Sequence, residues 1–268
     1  MNKVDIPLGV LQIIASYLVE PQMELLDWIP LDKLDWDWLS GNPNAIYLIE
    51  KNMDKIEWLF LSGNPNAIHL IERNMHKIYW IYLFENPNAT HLLSQCKENA
   101  DWWHLSGNPN ALHFLEKNKG MINWRWLSKN PNAIHLLEQN IDRINWKFLS
   151  ENPNAIHLLK QNMDKIDWNL LSKNPNDINL LEQNRDKIDW SALSENPNAI
   201  HLIESNIDKI DWEYLSTNPN AIHLLKQNMD KINFSYLSKN PSIFEINKRQ
   251  IRIDVEELAG IIDIVIHQ

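Results

Sequence analysis

His69, His91, His113, His135, His157, His201 and His223 stand at one recurring position, which Tyr47 and Asn179 occupy in two further places. A row of neutral imidazoles could bind metal ions. The ligand count speaks against it: stacked helices lie about 8–10 Å apart, wide for two rings on one zinc, and neither a cysteine nor a second clustered ligand recurs beside them. The simpler reading is a hydrogen bond between successive units, to an Asn or Asp of the adjacent turn. No metal and no cofactor are expected.

Aromatic residues form two more columns. Trp36, Trp58, Trp80, Trp102, Trp124, Trp146, Trp168, Trp190 and Trp212 share one position, with Phe234 last. Such a ladder could stack bases or sugars, but a large apolar residue at a fixed repeat position reads first as core, each indole filling the gap between units. Two residues on, Trp38, Phe60, Tyr82, Trp126, Phe148, Tyr214 and Tyr236 alternate with His104, Leu170 and Ala192. This looser column is the candidate contact surface, with Tyr82, His104, Trp126, Tyr214 and Tyr236 as its partner-binding residues.

Little else could react. Six glycines supply no phosphate loop, and no Ser/His/Asp or Cys/His arrangement stands apart from the repeat, so an enzyme is not expected. With 25 Lys and Arg against 35 Asp and Glu, the formal charge is −10, which repels nucleic acid and anionic membrane. The single Cys96 cannot form an internal disulfide. The apolar stretch from Ile6 to Val19 is too short to span a bilayer and has no clear cleavage site. A soluble, intracellular monomer is the expectation.

The elements that carry these columns follow from ten Asn-Pro dipeptides, from Asn42 to Asn240, each 22 residues after the last. A period of that length marks a solenoid, whose units bury their apolar faces against their neighbours. In the unit from Asn152 to Lys173, Asn152 reads as a helix cap and Pro153 as the first helical residue. Ala155, Leu158 and Leu159 share a face, and Asn162 suits a left-handed helix end. Asp167 then caps a second short helix, α or 3₁₀, bearing Trp168 and Leu171. The expected fold is an all-α superhelical solenoid of two-helix units over residues 20–241. An N-terminal cap helix over residues 1–19 and a C-terminal capping segment over residues 242–268 complete it. Lys248, Arg249 and Arg252 form a small basic patch in the latter. The third Asn-Pro unit departs from consensus at 94–100, and the fourth at Lys119-Gly120.

The run Asn-Pro-Asn-Ala-Ile-His-Leu-Leu-Glu-Gln-Asn-Ile-Asp-Arg-Ile-Asn-Trp-Lys-Phe-Leu-Ser from Asn130 resembles the Asn-Pro-Asn-Ala repeat proteins of giant DNA viruses. That resemblance implies residence in a host cytoplasm or a virion. The alternating short helices also look like the leucine-rich-variant solenoid, as an architectural analogy. At the other end, Ile6-Pro7-Leu8-Gly9-Val10-Leu11-Gln12-Ile13-Ile14-Ala15-Ser16-Tyr17-Leu18 resembles the first helix of an F-box. Pro7, Leu11, Ile14, Tyr17 and Leu18 match, and Gly9 stands where Glu is usual. The resemblance implies that these five residues dock on the adaptor subunit of a cullin–RING ubiquitin ligase. Two functions stay open: a non-enzymatic interaction protein acting as a substrate adaptor, or a structural or assembly scaffold in which residues 1–19 are only a cap.

Overall fold

The computed structural model describes residues 6–18, 22–93 and 100–267. Asn-Pro-Asn opens each unit, and in the structure it is a turn. Asn152 accepts from the Asn154 N–H through Oδ1 at 3.0 Å, and its carbonyl accepts from the Ala155 N–H at 3.2 Å. Pro153 supplies the fixed φ that such a turn favours at its second position. The histidine helix therefore begins later than expected, at Ile156, and runs only to Lys160. Asn162 is not left-handed: its φ is −138°, and no described residue has a positive φ. Its Nδ2 instead donates to the Leu158 carbonyl at 3.0 Å, closing the helix end.

A 3₁₀ turn, Met163–Lys165, leads into the tryptophan helix Trp168–Lys173. Asp167 caps this helix as expected, accepting from the Leu170 N–H at 3.1 Å. Across the ten tryptophan helices the residue at this position accepts a backbone N–H in every case but Tyr79.

Units are joined through buried polar groups. Asn152 donates through Nδ2 to the carbonyls of Ser128 and Asn130, both at 2.9 Å. Asn154 donates to the Pro131 carbonyl. Ser150 donates to the Trp146 carbonyl and accepts from the Asp167 N–H of the next unit. These serines and first asparagines are at most 1 % exposed, so each bond satisfies a group that water cannot reach. Around them pack Leu127, Leu149 and Leu171 of the tryptophan helices and Ala155 and Leu159 of a histidine-helix segment, all 0 % exposed, with Leu158 beside them at 5 %.

The same bonds then join the last unit to the first. Asn42 Nδ2 donates to the carbonyls of Ser238 and Asn240, Asn44 to that of Pro241, and the Asp35 N–H to Ser238 Oγ. The separations of 196, 198, 197 and 203 residues are the in-array separations of 24, 22, 23 and 17 taken from 220, the length of ten units. The repeat body, Pro30–Ile243, is thus a closed ring of ten tryptophan helices and not an open superhelix. The end faces that an open array must cap cover each other.

Residues outside the ring form a second unit, Met1–Ile29 with Phe244–Gln268. Strand β1, Met23–Leu25, pairs antiparallel with β2, Phe244–Ile246, so residues 22–29 belong here and not to the repeat. Helix Leu8–Leu18 packs Leu11 and Ala15 on Ala259 of helix Lys248–His267, flanked by Ile6, Val255, Leu258 and Ile262. The two segments expected to cap opposite ends of the array pack on one another.

Candidate functional site

The nine tryptophans and Phe234 are half-buried, not sealed in the core as expected. Each tryptophan helix is short, and one indole face is left for the next unit to cover. Lys55 lies over Trp36, Lys165 over Trp146, Lys187 over Trp168 and Lys231 over Trp212, with the ammonium 4.3–5.1 Å from the ring centroid. Lys33 covers Phe234 across the ring closure at 4.9 Å. The lysine stem shields the ring while its charge meets the π face, so at these units the column is a structural sheath with the indole face already covered.

The looser column is also half-buried, apart from buried Ala192. Its members touch one another: Trp38–Phe60 at 4.6 Å between centroids, Phe60–Tyr82 at 6.3 Å, His104–Trp126 at 5.0 Å and Tyr214–Tyr236 at 5.9 Å. Lys129 lies over Trp126, and Lys239 over both Trp38 and Tyr236. Lys173 pairs with Glu195 and reaches Tyr214, nearly two units away. Side chains two units apart meet only where the units of a ring converge, so this column faces that side. Gly107 marks how tight it is: a Cβ there would lie 3.2 Å from the Trp126 ring. Burial holds the Lys239 ammonium below its usual pKa, against the opposing pull of Glu195 and Asp35. Glu213 raises the Tyr236 phenol, helped by desolvation and by Tyr214. The structure therefore brings Tyr82, His104, Trp126, Tyr214 and Tyr236 into one column, already engaged with its own neighbours.

The histidine row lies at the surface. His157 Nε2 meets Glu138 Oε1 at 2.8 Å, and His69, His91, His135, His201 and His223 repeat the contact with the preceding unit. The partner is a glutamate of the neighbouring histidine helix, not the turn Asn or Asp expected from the sequence. Among the described residues no group of three His, Cys, Asp or Glu could hold a metal ion.

One unit breaks both patterns. Asp177 stands where other units place alanine; it is 1 % exposed, and neither carboxylate oxygen has a hydrogen-bond partner. Burial pushes its pKa up to about 6, partly offset by Lys160. Lys160 and Asn179 replace the Glu–His pair in the same place.

Of the five F-box-like residues, Leu11 is buried at 1 % and serves the helix pair, so it is not available to a partner. Pro7, Ile14 and Leu18 are exposed, whereas the Tyr17 side chain lies outside the described ones. No helix among the described residues is long and apolar enough to cross a membrane.

A surface that the column reading passed over lies on the third and fourth tryptophan helices. Tyr79, Ile81, Trp103 and Met121 are 48, 53, 62 and 52 % exposed. An open cleft of about 380 Å³ is lined by Trp103 and Met121 together with Asp101, Trp102, Ile122 and Asn123. The signal was present in the sequence as Trp102-Trp103, of which only Trp102 belongs to the column. No family model, no curated protein and no solved structure matches this chain.

Proposed function

We propose that this chain is a non-enzymatic protein-interaction protein. In this reading helix Leu8–Leu18 grips the adaptor subunit of a host cullin–RING ubiquitin ligase, and the ring selects the target. The viral resemblance of the repeat, with residence in a host cytoplasm or a virion, is part of the proposal. The observation that carries it is the apolar face of that helix. It holds no charged residue, buries Leu11 and Ala15, and leaves Leu8, Val10, Ile14 and Leu18 between 40 and 62 % exposed. A contiguous apolar face of this kind marks an interaction site. The ring supports the reading because its closed bonding holds the backbone that carries its surface side chains, which lowers the ordering cost of binding.

The test is calorimetry of the full chain against purified ligase adaptor subunit, beside a variant carrying Ile14→Arg and Leu18→Arg. Binding by the unaltered chain and its loss in the variant, at unchanged melting temperature, is the expected result. No binding by the unaltered chain would remove the ligase link and leave the assembly-scaffold reading, which the near-uniform ring favours. Light scattering against concentration would then report self-association.

A further inference from the structure

The ring carries its own reference, because each surface position is sampled ten times. The position of Ile81 and Trp103 holds Asp37, Arg125, Lys147, Asn169, Ser191, Glu213 and Ser235 elsewhere, and Leu59 beside them. Tyr79 stands where nine units place Asp, Asn or Glu, and its helix lacks the side-chain cap that the others have. Met121 stands where eight units place Lys or Arg, seven of them before the next tryptophan helix and Lys33 before the first, so Trp102 has no cation from that position. Four changes toward exposed apolar side chains thus fall on two adjacent, packed helices and the turn that follows them.

The charges shift in the same sector. His76 and Gly120 replace the Asp that seven other units carry at that position. Lys77, Lys119 and Arg125 are exposed around the patch, Lys77 resting over Trp58 and Arg125 over Phe148 while their charged ends stay in reach of solvent. Two described acids there are turned to their own helices: Asp101 accepts from the Trp103 and His104 N–H groups and pairs with His104 Nδ1 at 2.7 Å, and Glu57 caps its own helix. In a chain of charge −10, the described residues of this sector set three exposed cations against two half-buried carboxylates around an apolar centre.

We infer that Tyr79, Ile81, Trp103 and Met121 form a docking surface for a peptide segment of a partner protein, one that presents a large apolar anchor beside acidic residues. The cleft lined by Trp103 and Met121 takes the anchor, and Lys77, Lys119 and Arg125 meet the acids. This deepens the interaction reading above and rests on it. Exposed aromatic residues around a concave site are the usual centres of binding energy, and the rim charges set the preferred sign of the partner.

The test pans a phage-displayed library of random peptides on the full chain and measures the selected peptides by fluorescence anisotropy. The comparison variant restores the repeat: Tyr79→Asp, Ile81→Lys, Trp103→Lys and Met121→Lys. Because these residues occur at the same positions in sister units, the variant is expected to melt no lower than the parent. The expected result is enrichment of a large apolar residue flanked by Asp or Glu, with binding at least about tenfold weaker in the variant. Enrichment of basic or motif-free peptides, or equal binding by both proteins, would overturn the inference. So would a concentration-dependent dimer abolished by the same changes, since the occupant would then be a second copy. Peptide binding retained by the Ile14→Arg, Leu18→Arg variant separates this surface from the ligase contact, so either can fail alone.

Discussion

Asn42 donates a hydrogen bond to the carbonyl of Asn240, 198 residues further along the chain, at 3.0 Å. The bond is equivalent to the one by which Asn64 holds Asn42. Ten asparagines thus each donate twice around the ring, and no position in the ladder is terminal. Neighbour-coupled arrays have ends that fray. Here the first unit is held by the same hydrogen bonds as the sixth.

That equivalence can be measured. Asn152→Asp turns two buried N–H donors into an oxygen facing the Ser128 and Asn130 carbonyls, and should cost about 3 kcal/mol or more. Asn42→Asp should cost the same, because Ser238 and Asn240 stand in the same place. An open array would tolerate the second change almost freely. Chemical denaturation of the two variants decides, and a near-silent Asn42→Asp would refute closure.

How far the sequence led can be judged at the same residues. The 22-residue register, the Asp and Asn caps and the Ala–Leu face were all legible, because each is a local pattern. Asn152 was read as a helix cap, since its Oδ1 accepts an N–H two residues on in either geometry. What distinguishes the turn is the pair of carbonyls on Nδ2, contributed 22 and 24 residues earlier, which no local pattern displays. Closure was invisible for a related reason. It depends on a small rotation per unit, and that rotation is set by packing between units. Tyr79 was visible as a break in the cap column, whereas Trp103 was hidden beside Trp102.

Asp177 makes one seam of the ring sensitive to pH. Its folded pKa of about 6 lies above the ordinary 3.8, so the unfolded chain gives up the proton first. Stability is therefore undiminished below about pH 4, falls between pH 4 and 6, and stays reduced above, by up to about 3 kcal/mol. Asp177→Ala restores the residue found in sister units. Its benefit in urea denaturation should grow from pH 4 to 6 and level off near 7. A benefit independent of pH would show that the carboxyl does not titrate in the folded ring.

The lysine sheath should be a coupled pair and not two separate contributions. Lys165 sits 4.3 Å from the Trp146 centroid, a contact of about 0.5–1 kcal/mol at a partly exposed site. Lys165→Met keeps most of the stem and removes the charge. A double-mutant cycle with Trp146→Leu should return that coupling energy. A value of zero would mean the lysine acts only by covering the ring.

The exposed histidine–glutamate row should matter least. His157 and Glu138 are 46 and 48 % exposed as side chains, and pairs in such surroundings contribute between about 0 and 1 kcal/mol. His157→Gln should leave the melting temperature within about 2 °C of the parent, and zinc should not raise it further. A zinc-dependent rise lost in that variant would reopen the metal reading of the row.

Helix Leu8–Leu18 divides its apolar residues into two classes that single substitutions can separate. Leu11, 1 % exposed, packs with Ala15 and Ala259, so Leu11→Ala should cost about 2–4 kcal/mol in this small unit. Leu18, 62 % exposed, should cost under about 0.5 kcal/mol as Leu18→Ala. Hydrogen exchange of the helix amides reads both, since the loss of protection should follow Leu11→Ala alone. Equal loss in both variants would place Leu18 in a packed interface, and its exposed face could no longer serve a partner.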